Sequence, residues 1–334
     1  MYYEKNVKNN HKVLVTGAGG FIGSHLVEQM VLRGASVRAF VRYNSRGDIG
    51  LLKLLSAKIL KEVDIVMGDL RDTEAIRQSV KGINTIFHLG SLISIPYSYI
   101  HPREVIDTNN MGTLNILMAA RDNNVVKIIH TSSSEVYGTP KYVPIDETHP
   151  LQGQSPYSAS KIGADMIAFS FYCSYGLPIA IIRPFNAFGP RQSDRAVIPT
   201  IISQALVKEK ICLGSLDTKR DYTYINDTVE GFIKIAESSK SVGEVINIGA
   251  NFEISIGDIV KKVMKILGKD KEIILDQSRI RPKVSEVERL WCDNTKAKQI
   301  LGWKTTVNFE QGLVNTIQWI SSNLNLYDPD AYNV

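Results

Sequence analysis

The sequence contains few cysteines and no long apolar run. Its three cysteines, Cys173, Cys212 and Cys292, are far apart, odd in number, and lack both a Cys-x-x-Cys spacing and a nearby histidine pair. This pattern argues against a disulfide framework or a zinc site, and it is typical of a reducing cytoplasm. No apolar stretch reaches the roughly 18 residues that a membrane-spanning helix requires. We therefore predict a cytoplasmic protein with no metal site and no membrane segment.

The sequence also lacks the dense basic charge of nucleic-acid-binding proteins. Its net charge is +5, and its 39 lysines and arginines are spread along the chain. Proteins that bind nucleic acid usually concentrate these residues on one face. We expect no nucleic-acid partner, although the mild positive charge favours a small ligand that carries phosphates.

The first half of the chain alternates short β-rich runs with helical patterns. This alternation predicts an α/β fold, in which helices cover both faces of a parallel sheet. The predicted strands are residues 12–16, 37–41, 64–67, 85–89, 126–131 and 179–183. The main predicted helices are residues 21–33, a helix of about 20 residues that begins near Pro102, and residues 156–175.

The alternation becomes irregular after Pro184. We predict strands at residues 222–225, 245–248 and 273–275, and helices at residues 198–208, 256–267, 295–301 and 309–323. These elements indicate a second, smaller α/β lobe beside the carboxyl edge of the sheet, where open α/β sheets bind ligands.

A glycine-rich turn follows the first predicted strand and contains Gly17, Gly20 and Gly23. Between a strand and a helix, the first glycine allows a tight turn, the second lets a pyrophosphate approach the backbone, and the third lets the helix pack closely on the strand. The helix starts at Phe21 and Ile22, where free amides and the positive end of the helix dipole favour phosphate. This turn predicts a dinucleotide cofactor on a Rossmann-type, doubly wound parallel sheet.

These patterns divide the 334 residues into two domains, and the chain is also too long for one small core. Residues 1–184 form the predicted dinucleotide-binding domain, with returning segments around 221–249. Residues 185–324 form the predicted substrate-binding lobe. We expect the polar start, as far as His11, and the tail, residues 325–334, to be mobile.

The choice between NAD and NADP depends on the end of the second strand. Proteins that prefer NAD usually place an acidic residue there for the ribose hydroxyls, but no acid occurs between Glu28 and Asp48. Arg42 ends the strand instead and is suited to a 2′-phosphate, so NAD(P) is expected, with NADP slightly favoured. Asp69 is a candidate acceptor for the adenine amino group. Leu70, Leu89 and Pro184 are the remaining expected cofactor contacts.

Tyr157 and Lys161 are four residues apart on a predicted helix and therefore share a face. The lysine charge can lower the pKa of the phenol, so that Tyr157 takes a proton from a substrate hydroxyl while the carbon loses hydride to nicotinamide. Ser133 follows the fifth strand and is placed to bind the same substrate oxygen. Glu135 has no role in a simple alcohol oxidation, and it is a candidate base for a carbon acid beside a new ketone.

Together these motifs resemble the extended short-chain dehydrogenase/reductase family over residues 12–303. The resemblance includes residues 183–191, 220–227, 247–249, 281–282 and 293–303. It implies that Asn186, Arg220 and Arg281 lie near the diphosphate of a nucleotide sugar, with residues 195–199, including Arg195 and Val197, near its base. Asn247 is a further expected substrate contact. Arginine also suits phosphate on chemical grounds, because its guanidinium binds in a bidentate manner.

Within that family, the sequence from Ser133 to Gly138 is similar to sugar 4,6-dehydratases, because galactose-type epimerases lack a carboxylate at Glu135. The pattern Ser133-Ser134-Glu135 lacks a separate acidic residue, so water loss is expected to be aided by Glu135 or Ser134. Residues 95–100, 183–191 and 285–290 resemble dehydratases of bacterial legionaminic acid synthesis, which act on nucleotide-linked N-acetylglucosamine for surface glycans. A UDP-glucuronate decarboxylase, a 4-epimerase and a non-catalytic dinucleotide sensor are the alternatives.

The resemblance also implies a homodimer. In this family, helices equivalent to residues 103–123 and 156–175 pair across a dimer as a four-helix bundle. Here both segments are rich in alanine, methionine, isoleucine and phenylalanine, although these faces could instead only cover the sheet.

Overall fold

The computed structural model describes residues 11–330. The predictions for residues 1–10 and 331–334 lie outside the described residues. The tail prediction is wrong at Tyr327, which is buried and whose hydroxyl donates to the carbonyl of Gln192 at 3.0 Å. No helix within residues 11–330 has both the length and the apolar character needed to cross a membrane.

The elements follow the predicted alternation in the first half of the chain. The strands are β1 (Lys12–Thr16), β2 (Ser36–Arg42), β3 (Val63–Gly68), β4 (Thr85–His88), β5 (Lys127–Thr131), β6 (Ile179–Pro184), β7 (Asn186–Phe188), β8 (Lys210–Leu213), β9 (Lys219–Tyr224), β10 (Val245–Ile248), β11 (Glu253–Ser255), β12 (Glu272–Leu275) and β13 (Arg289–Leu290). The helices are α1 (Phe21–Leu32), α2 (Ala57–Leu60), α3 (Thr73–Val80), α4 (Ile95–Ile100), α5 (Pro102–Ile106), α6 (Gly112–Asp122), α7 (Pro156–Tyr175), α8 (Val197–Val207), α9 (Ile225–Glu237), α10 (Ile256–Leu267), α11 (Thr295–Leu301) and α12 (Phe309–Ser322).

A seven-stranded parallel sheet has the order β10-β6-β5-β4-β1-β2-β3. The strand order reverses at β1, which pairs with β2 on one side and β4 on the other. The predicted Rossmann-type α/β fold is therefore confirmed. Such a switch point opens a crevice at the carboxyl ends of the strands, where ligands bind.

The sheet is buried on both faces, as its uninterrupted apolar strands predict. In β1, Val13 and Val15 pack on one face together with α1 and α9, and Leu14 packs on the other with α3, α6 and α7. The first of these hydrophobic clusters continues into α8 and α12 of the smaller lobe. The sheet and the lobe thus share one continuous core.

The smaller lobe contains a sheet of order β11-β9-β13, with β7 also paired to β9, and a parallel pair of β12 and β8. Two sequence predictions need correction here. The strand predicted at residues 222–225 is β9, which ends at Tyr224, and Ile225 begins helix α9. That helix was missed, although its amphipathic pattern is visible in the sequence, and it packs on α1 and leads into β10 of the main sheet.

The catalytic helix α7 has the predicted bounds, and its ends explain them. Ser155 caps the first turn through a reciprocal pair of hydrogen bonds with Ser158, and Pro156 occupies the first helical position. Gly176 ends the helix at φ +65°, the left-handed conformation that glycine adopts without a steric penalty. These ends fix where Tyr157 and Lys161 emerge.

Candidate active site

The glycine turn lies at the switch point between β1 and β4. Gly17 has φ +67°, and a β-carbon there would lie 2.8 Å from the amide nitrogen of Gly90. A β-carbon on Gly23 would lie 2.9 Å from the α-carbon of Ala18, so this glycine permits close packing of α1. A β-carbon on Gly20 would meet only the Gly17 carbonyl oxygen, at 3.2 Å, and would otherwise enter open space. The turn therefore offers a concave cradle at the amino end of α1, which fits a pyrophosphate.

The first residues of α1 complete this cradle. Gly20 is the N-cap residue and has no side chain with which to cap the helix. Phe21 and Ile22 are partly buried and pack against the core, so the first-turn backbone stays fixed while its amides face the open side. These residues fit the predicted cofactor role.

Charged side chains meet at the carboxyl ends of β2 and β3. Arg42 is 65% exposed, and its guanidinium lies 3.2 Å from Oε1 of Glu104, whose Oε2 accepts a 2.5 Å hydrogen bond from Tyr97. Asp69 accepts a bidentate pair from Arg71 at 2.9 and 2.6 Å, and these hydrogen bonds lower the pKa of Asp69 to about 2. This edge can hold the adenosine of a dinucleotide, and its two arginines are balanced by two carboxylates.

The other expected cofactor residues lie along the same edge. Leu70 is buried and packs against Gly90 and Gly112, where a β-carbon would come within 2.8 Å of its side chain. Leu89 follows β4 and is partly buried, and Pro184 ends β6. They extend the crevice from the glycine turn towards α7.

Tyr157 and Lys161 lie side by side on α7 and are 6% and 4% exposed. Burial raises the pKa of Tyr157 to about 12, while a hydrogen bond with the Ser133 hydroxyl opposes this rise and the charges of Glu135 and Asp165 add to it. Burial is therefore the dominant influence on the phenol in this structure, and the lowering of its pKa by Lys161 stays a prediction. The lysine ammonium donates to the Thr131 carbonyl at 2.6 Å, and burial lowers its pKa to about 8.

The segment after β5 brings a carboxylate to the same place. Ser133 caps a short helical turn by accepting the Glu135 amide at 3.2 Å. Ser133 and Glu135 remain partly exposed, whereas Ser134 between them is 3% exposed. The turn thus presents Ser133 and Glu135 towards Tyr157 and directs Ser134 into the protein.

A cavity of about 310 Å³ runs from Glu135 into the smaller lobe. Five of the six predicted substrate residues line it: Asn186, Arg195, Val197, Arg220 and Arg281. The lining contains four arginines and two glutamates, so its charge favours an anion. An elongated anionic ligand with a polar end at Glu135 fits this arrangement.

Asn247 is the predicted substrate residue that the structure places elsewhere. Its side chain is 0% exposed, accepts a hydrogen bond from Tyr137 at 2.7 Å, and donates to the carbonyl of Ile145 at 3.1 Å. The prediction of a substrate contact is wrong because β10 is an edge strand of the main sheet whose end is covered by the segment around Ile145. Asn247 instead joins that segment to the sheet.

Sequence reasoning missed two charged residues of the cavity. Glu286 lies between two predicted phosphate ligands, 3.2 Å from Arg220 and 3.6 Å from Arg281. Arg279 also lines the cavity and pairs with Asp276 at 3.1 Å. Arg279 lies two residues before Arg281 and Glu286 five residues after it, and this proximity was the available signal, but irregular segments carry no period from which to infer side-chain direction.

A glycine cradle at the switch point and a buried Tyr-x-x-x-Lys pair beside it define an NAD(P)-binding enzyme of the short-chain dehydrogenase/reductase type. Comparison with known proteins agrees. Residues 14–316 match the sequence profile of GDP-mannose 4,6 dehydratase. The chain is 31% identical over 316 residues to a UDP-glucose 4-epimerase of Mycolicibacterium smegmatis, covering 92% of this chain and 98% of that protein.

Two further relatives are dehydratases. The chain is 29% identical over 329 residues to the dTDP-D-glucose 4,6-dehydratase of Mus musculus, covering 93% and 89% of the two chains. The crystal structure of dTDP-glucose 4,6-dehydratase DesIV from Streptomyces venezuelae, with NAD bound, superposes with a TM-score of 0.85 at 28% identity, covering 95% and 99%. The chain belongs to the GDP-mannose 4,6 dehydratase family, among the NAD-dependent nucleotide-sugar dehydratases and epimerases.

Proposed function

We propose that this chain is a nucleotide-sugar 4,6-dehydratase that acts on a UDP- or GDP-linked hexose. The sugar that we favour is N-acetylglucosamine, on the resemblance of residues 95–100 and 285–290, with a role in bacterial surface glycans. The observation that carries the proposal is the position of Glu135, which lines the cavity and acts electrostatically on Tyr157. An epimerisation at carbon 4 has no use for a carboxylate at this point.

Tyr157 is the proposed base for the hydroxyl on carbon 4, with Ser133 bonded to the same oxygen. When bound, NAD(P) supplies the hydride acceptor and returns the hydride within the same turnover. Lys161 holds a positive charge beneath the tyrosine, and its bond to the Thr131 carbonyl fixes that charge at the end of β5. The buried position of both side chains excludes water from the proton transfer.

Glu135 is the proposed base for the second proton. A ketone at carbon 4 acidifies the proton on carbon 5, and a carboxylate at the cavity wall can remove it. The same carboxyl group can then protonate the hydroxyl that leaves carbon 6 as water. Ser134 is the weaker candidate for this last step, because it is buried and does not line the cavity.

The arginines of the cavity are the proposed diphosphate site. Arg220 and Arg281 now contact Glu286, and a diphosphate offers them a stronger, doubly charged partner. Arg195 and Val197 line the cavity at the amino end of α8, where we propose that the base binds.

The proposed cofactor is NADP rather than NAD. The end of β2 carries Arg42 and no carboxylate, and its exposed ion pair with Glu104 is of a kind worth about 1 kcal/mol or less. A 2′-phosphate can therefore compete with Glu104 for the guanidinium. Calorimetric titration with both cofactors decides this point, and tighter binding of NAD would contradict it.

The reaction is tested by incubating the enzyme with UDP- and GDP-linked N-acetylglucosamine, glucose and mannose. Mass spectrometry should detect loss of water from one of them, and solvent deuterium should enter carbon 5. Glu135→Gln should abolish water loss while reduction of the cofactor by substrate persists. Loss of carbon dioxide from UDP-glucuronate, with no dehydrated product, would contradict the proposal in favour of a decarboxylase.

A 4-epimerase is the second candidate, because a UDP-glucose 4-epimerase is among the relatives at 31% identity. Such an enzyme would use Tyr157, Lys161 and Ser133 but not Glu135. The Glu135→Gln variant therefore separates the two reactions. Full retention of product formation in this variant would favour the epimerase.

We also propose a homodimer formed through α6 and α7, in the cytoplasm. The two helices pack together, and exposed apolar side chains lie on α7 at Met166, Phe169 and Tyr175 and just before α6 at Met111. Light scattering at micromolar concentration should give the mass of two chains, and Met166→Glu should give that of one. A single-chain mass for the unaltered protein would contradict the dimer.

A further inference from the structure

A buried ionic cluster lies beneath the catalytic pair. Asp165, on α7, is fully buried, and its Oδ2 accepts hydrogen bonds from Ser132 at 2.7 Å and from two guanidinium nitrogens of Arg183 at 3.0 and 3.3 Å. A buried carboxylate is costly unless it is paired and hydrogen-bonded. The proposed reaction leaves this cluster without a role.

The cluster belongs to a regular junction between β5 and α7. The Thr131 carbonyl binds Lys161, the Ser132 hydroxyl binds Asp165, and Ser133 acts on Tyr157. Three consecutive residues at the end of the strand thus contact positions 157, 161 and 165, which lie on one face of the helix because each is four residues from the next. Asp165 is the most deeply buried of these three helix residues.

One side of the carboxylate is incompletely bonded. Oδ1 of Asp165 lies 3.3 Å from Nε2 of His130 without the alignment of a hydrogen bond. Neither atom has another hydrogen-bond partner in the part of the chain that the structure describes. Buried polar atoms without a hydrogen-bond partner are rare and call for an explanation. The Oδ1 side of Asp165 is therefore less fully bonded than the Oδ2 side, which accepts from Ser132 and Arg183.

The buried groups around Asp165 carry unequal numbers of positive and negative charges. The titratable groups around Asp165 are His88 on β4, His130 on β5, Glu135 and Tyr137 after β5, Tyr157 and Lys161 on α7, and Arg183 on β6. Burial lowers the pKa values of both histidines and raises those of both tyrosines, so these four groups are neutral near neutral pH. Two buried cations then face the single buried anion, and ionised Tyr157 restores the balance.

We propose that Asp165 is a positioning residue for the Tyr157–Lys161 pair: its carboxylate holds the end of β5 against α7 and places a negative charge beneath Lys161. This inference rests on the proposed role of Tyr157 as the base. Asp165 acts through Lys161 and Tyr157 and itself touches neither substrate nor cofactor.

The test is the pH profile of Asp165→Asn, which removes the charge and keeps the shape. The charge of Asp165 raises the pKa of both Tyr157 and Lys161. Its loss should move the acid and the basic limb of kcat/KM to lower pH, each by about one unit. A rate that falls equally at every pH, with both limbs unmoved, would show a merely structural role and overturn the proposal.

Three further variants complete the design. Asp165→Glu keeps the charge and should restore the limbs. Asp227→Asn is the matched control, since that carboxylate is also buried but bonds residues 306 and 307, and it should leave the limbs unmoved. If Asp165→Asn does not fold, Ser132→Ala decides the question, because it removes only one hydroxyl from the carboxylate. It should lower kcat about threefold with KM unchanged, and an unchanged kcat would overturn the proposal.

The steady-state constants come from product formation with a nucleotide hexose, and the absorbance of reduced nicotinamide in a single turnover gives the rate of the oxidation step, whose pH profile should move in the same way. Dehydration, decarboxylation and 4-epimerisation in this family all begin with oxidation at carbon 4. A failure of the 4,6-dehydratase proposal would therefore appear in the products and leave this test intact. A failure of the Asp165 proposal would appear in unmoved limbs of Asp165→Asn or, where that variant does not fold, in an unchanged kcat of Ser132→Ala.

Discussion

The β5–α7 junction and the arginine cavity hold charge in opposite ways. In the junction, Lys161 and Asp165 are buried, and each is bonded to a partner on a strand, Thr131 and Arg183 respectively. In the cavity, Arg220 and Arg281 share one carboxylate, Glu286, at the end of a loop. The difference teaches that the first region is built before substrate arrives, while the second must exchange an internal anion for the ligand. Preorganised groups lower the barrier of a reaction, and exchangeable groups set the affinity.

The largest expected effect is in the junction. Tyr157→Phe removes the proposed base and keeps the ring, so kcat should fall about 1,000-fold with little change in KM. Steady-state kinetics with the identified sugar checks this, and cofactor content measured after purification is the control. A variant that keeps more than a tenth of the activity would show that another group serves as the base.

A smaller effect, of a different kind, is expected in the cavity. Arg220→Ala removes charge-assisted hydrogen bonds to the diphosphate, so KM should rise about 10- to 100-fold while kcat changes little. Arg220→Lys keeps the positive charge but lacks the planar guanidinium, so its KM should lie between those of the unaltered protein and of Arg220→Ala. If kcat rather than KM falls, the distinction between the two regions fails.

The pH dependence sharpens the description of the junction. Burial lowers the pKa of Lys161 to about 8, so the side chain is charged below this pH and neutral above it. Its charge favours ionised Tyr157, and kcat/KM should therefore decline above that pH by about tenfold per unit. An arginine at this position stays charged, so kcat/KM of Lys161→Arg should not decline above this pH, whatever its maximal rate. A level profile well above the pKa of Lys161 would show that its charge is not needed.

The smallest effect is expected at the adenosine edge, outside both regions. Glu104→Gln releases Arg42 from an exposed ion pair, so the affinity for NADP should rise about two- to threefold relative to NAD. Glu74→Gln is a control of the same chemistry on α3, where the partner is Arg77. If the ratio of NADP affinity to NAD affinity is the same in both variants and in the unaltered protein, Arg42 does not bind the 2′-phosphate.

Regular elements explain most of what the sequence could predict. The bounds of α7 and β10 are confirmed because caps, glycine and β-branched runs act locally on them. Tyr157 and Lys161 meet because a helix repeats every turn, and Ser133 and Glu135 reach them because parallel strands end at one edge. The glycine cradle followed from three residues in one turn.

The missed features depend on tertiary contacts. Asn247 lies at a strand end, as the ligand-binding pattern requires, but a loop around Ile145 covers it. Arg279 lies in a short helical turn and Glu286 in the loop that follows it, and neither segment is long enough for its sequence period to show which side chains face the cavity. The four-residue spacing predicts that Tyr157 and Lys161 are neighbours, but it does not predict that the lysine ammonium donates to the Thr131 carbonyl.

The continuous hydrophobic cluster from β1 to α12 has a consequence for how this protein folds. Val13, Phe232 and Leu313, from the first strand, the returning helix and the last helix, belong to the same packed unit. A chain ending at Pro184 would leave one face of the sheet without α9 and β6 without its neighbour β10. We therefore expect heat or denaturant to melt both lobes in a single cooperative transition. We expect the smaller lobe, expressed without the main sheet, not to fold on its own, because its helices α8 and α12 share this cluster with the sheet.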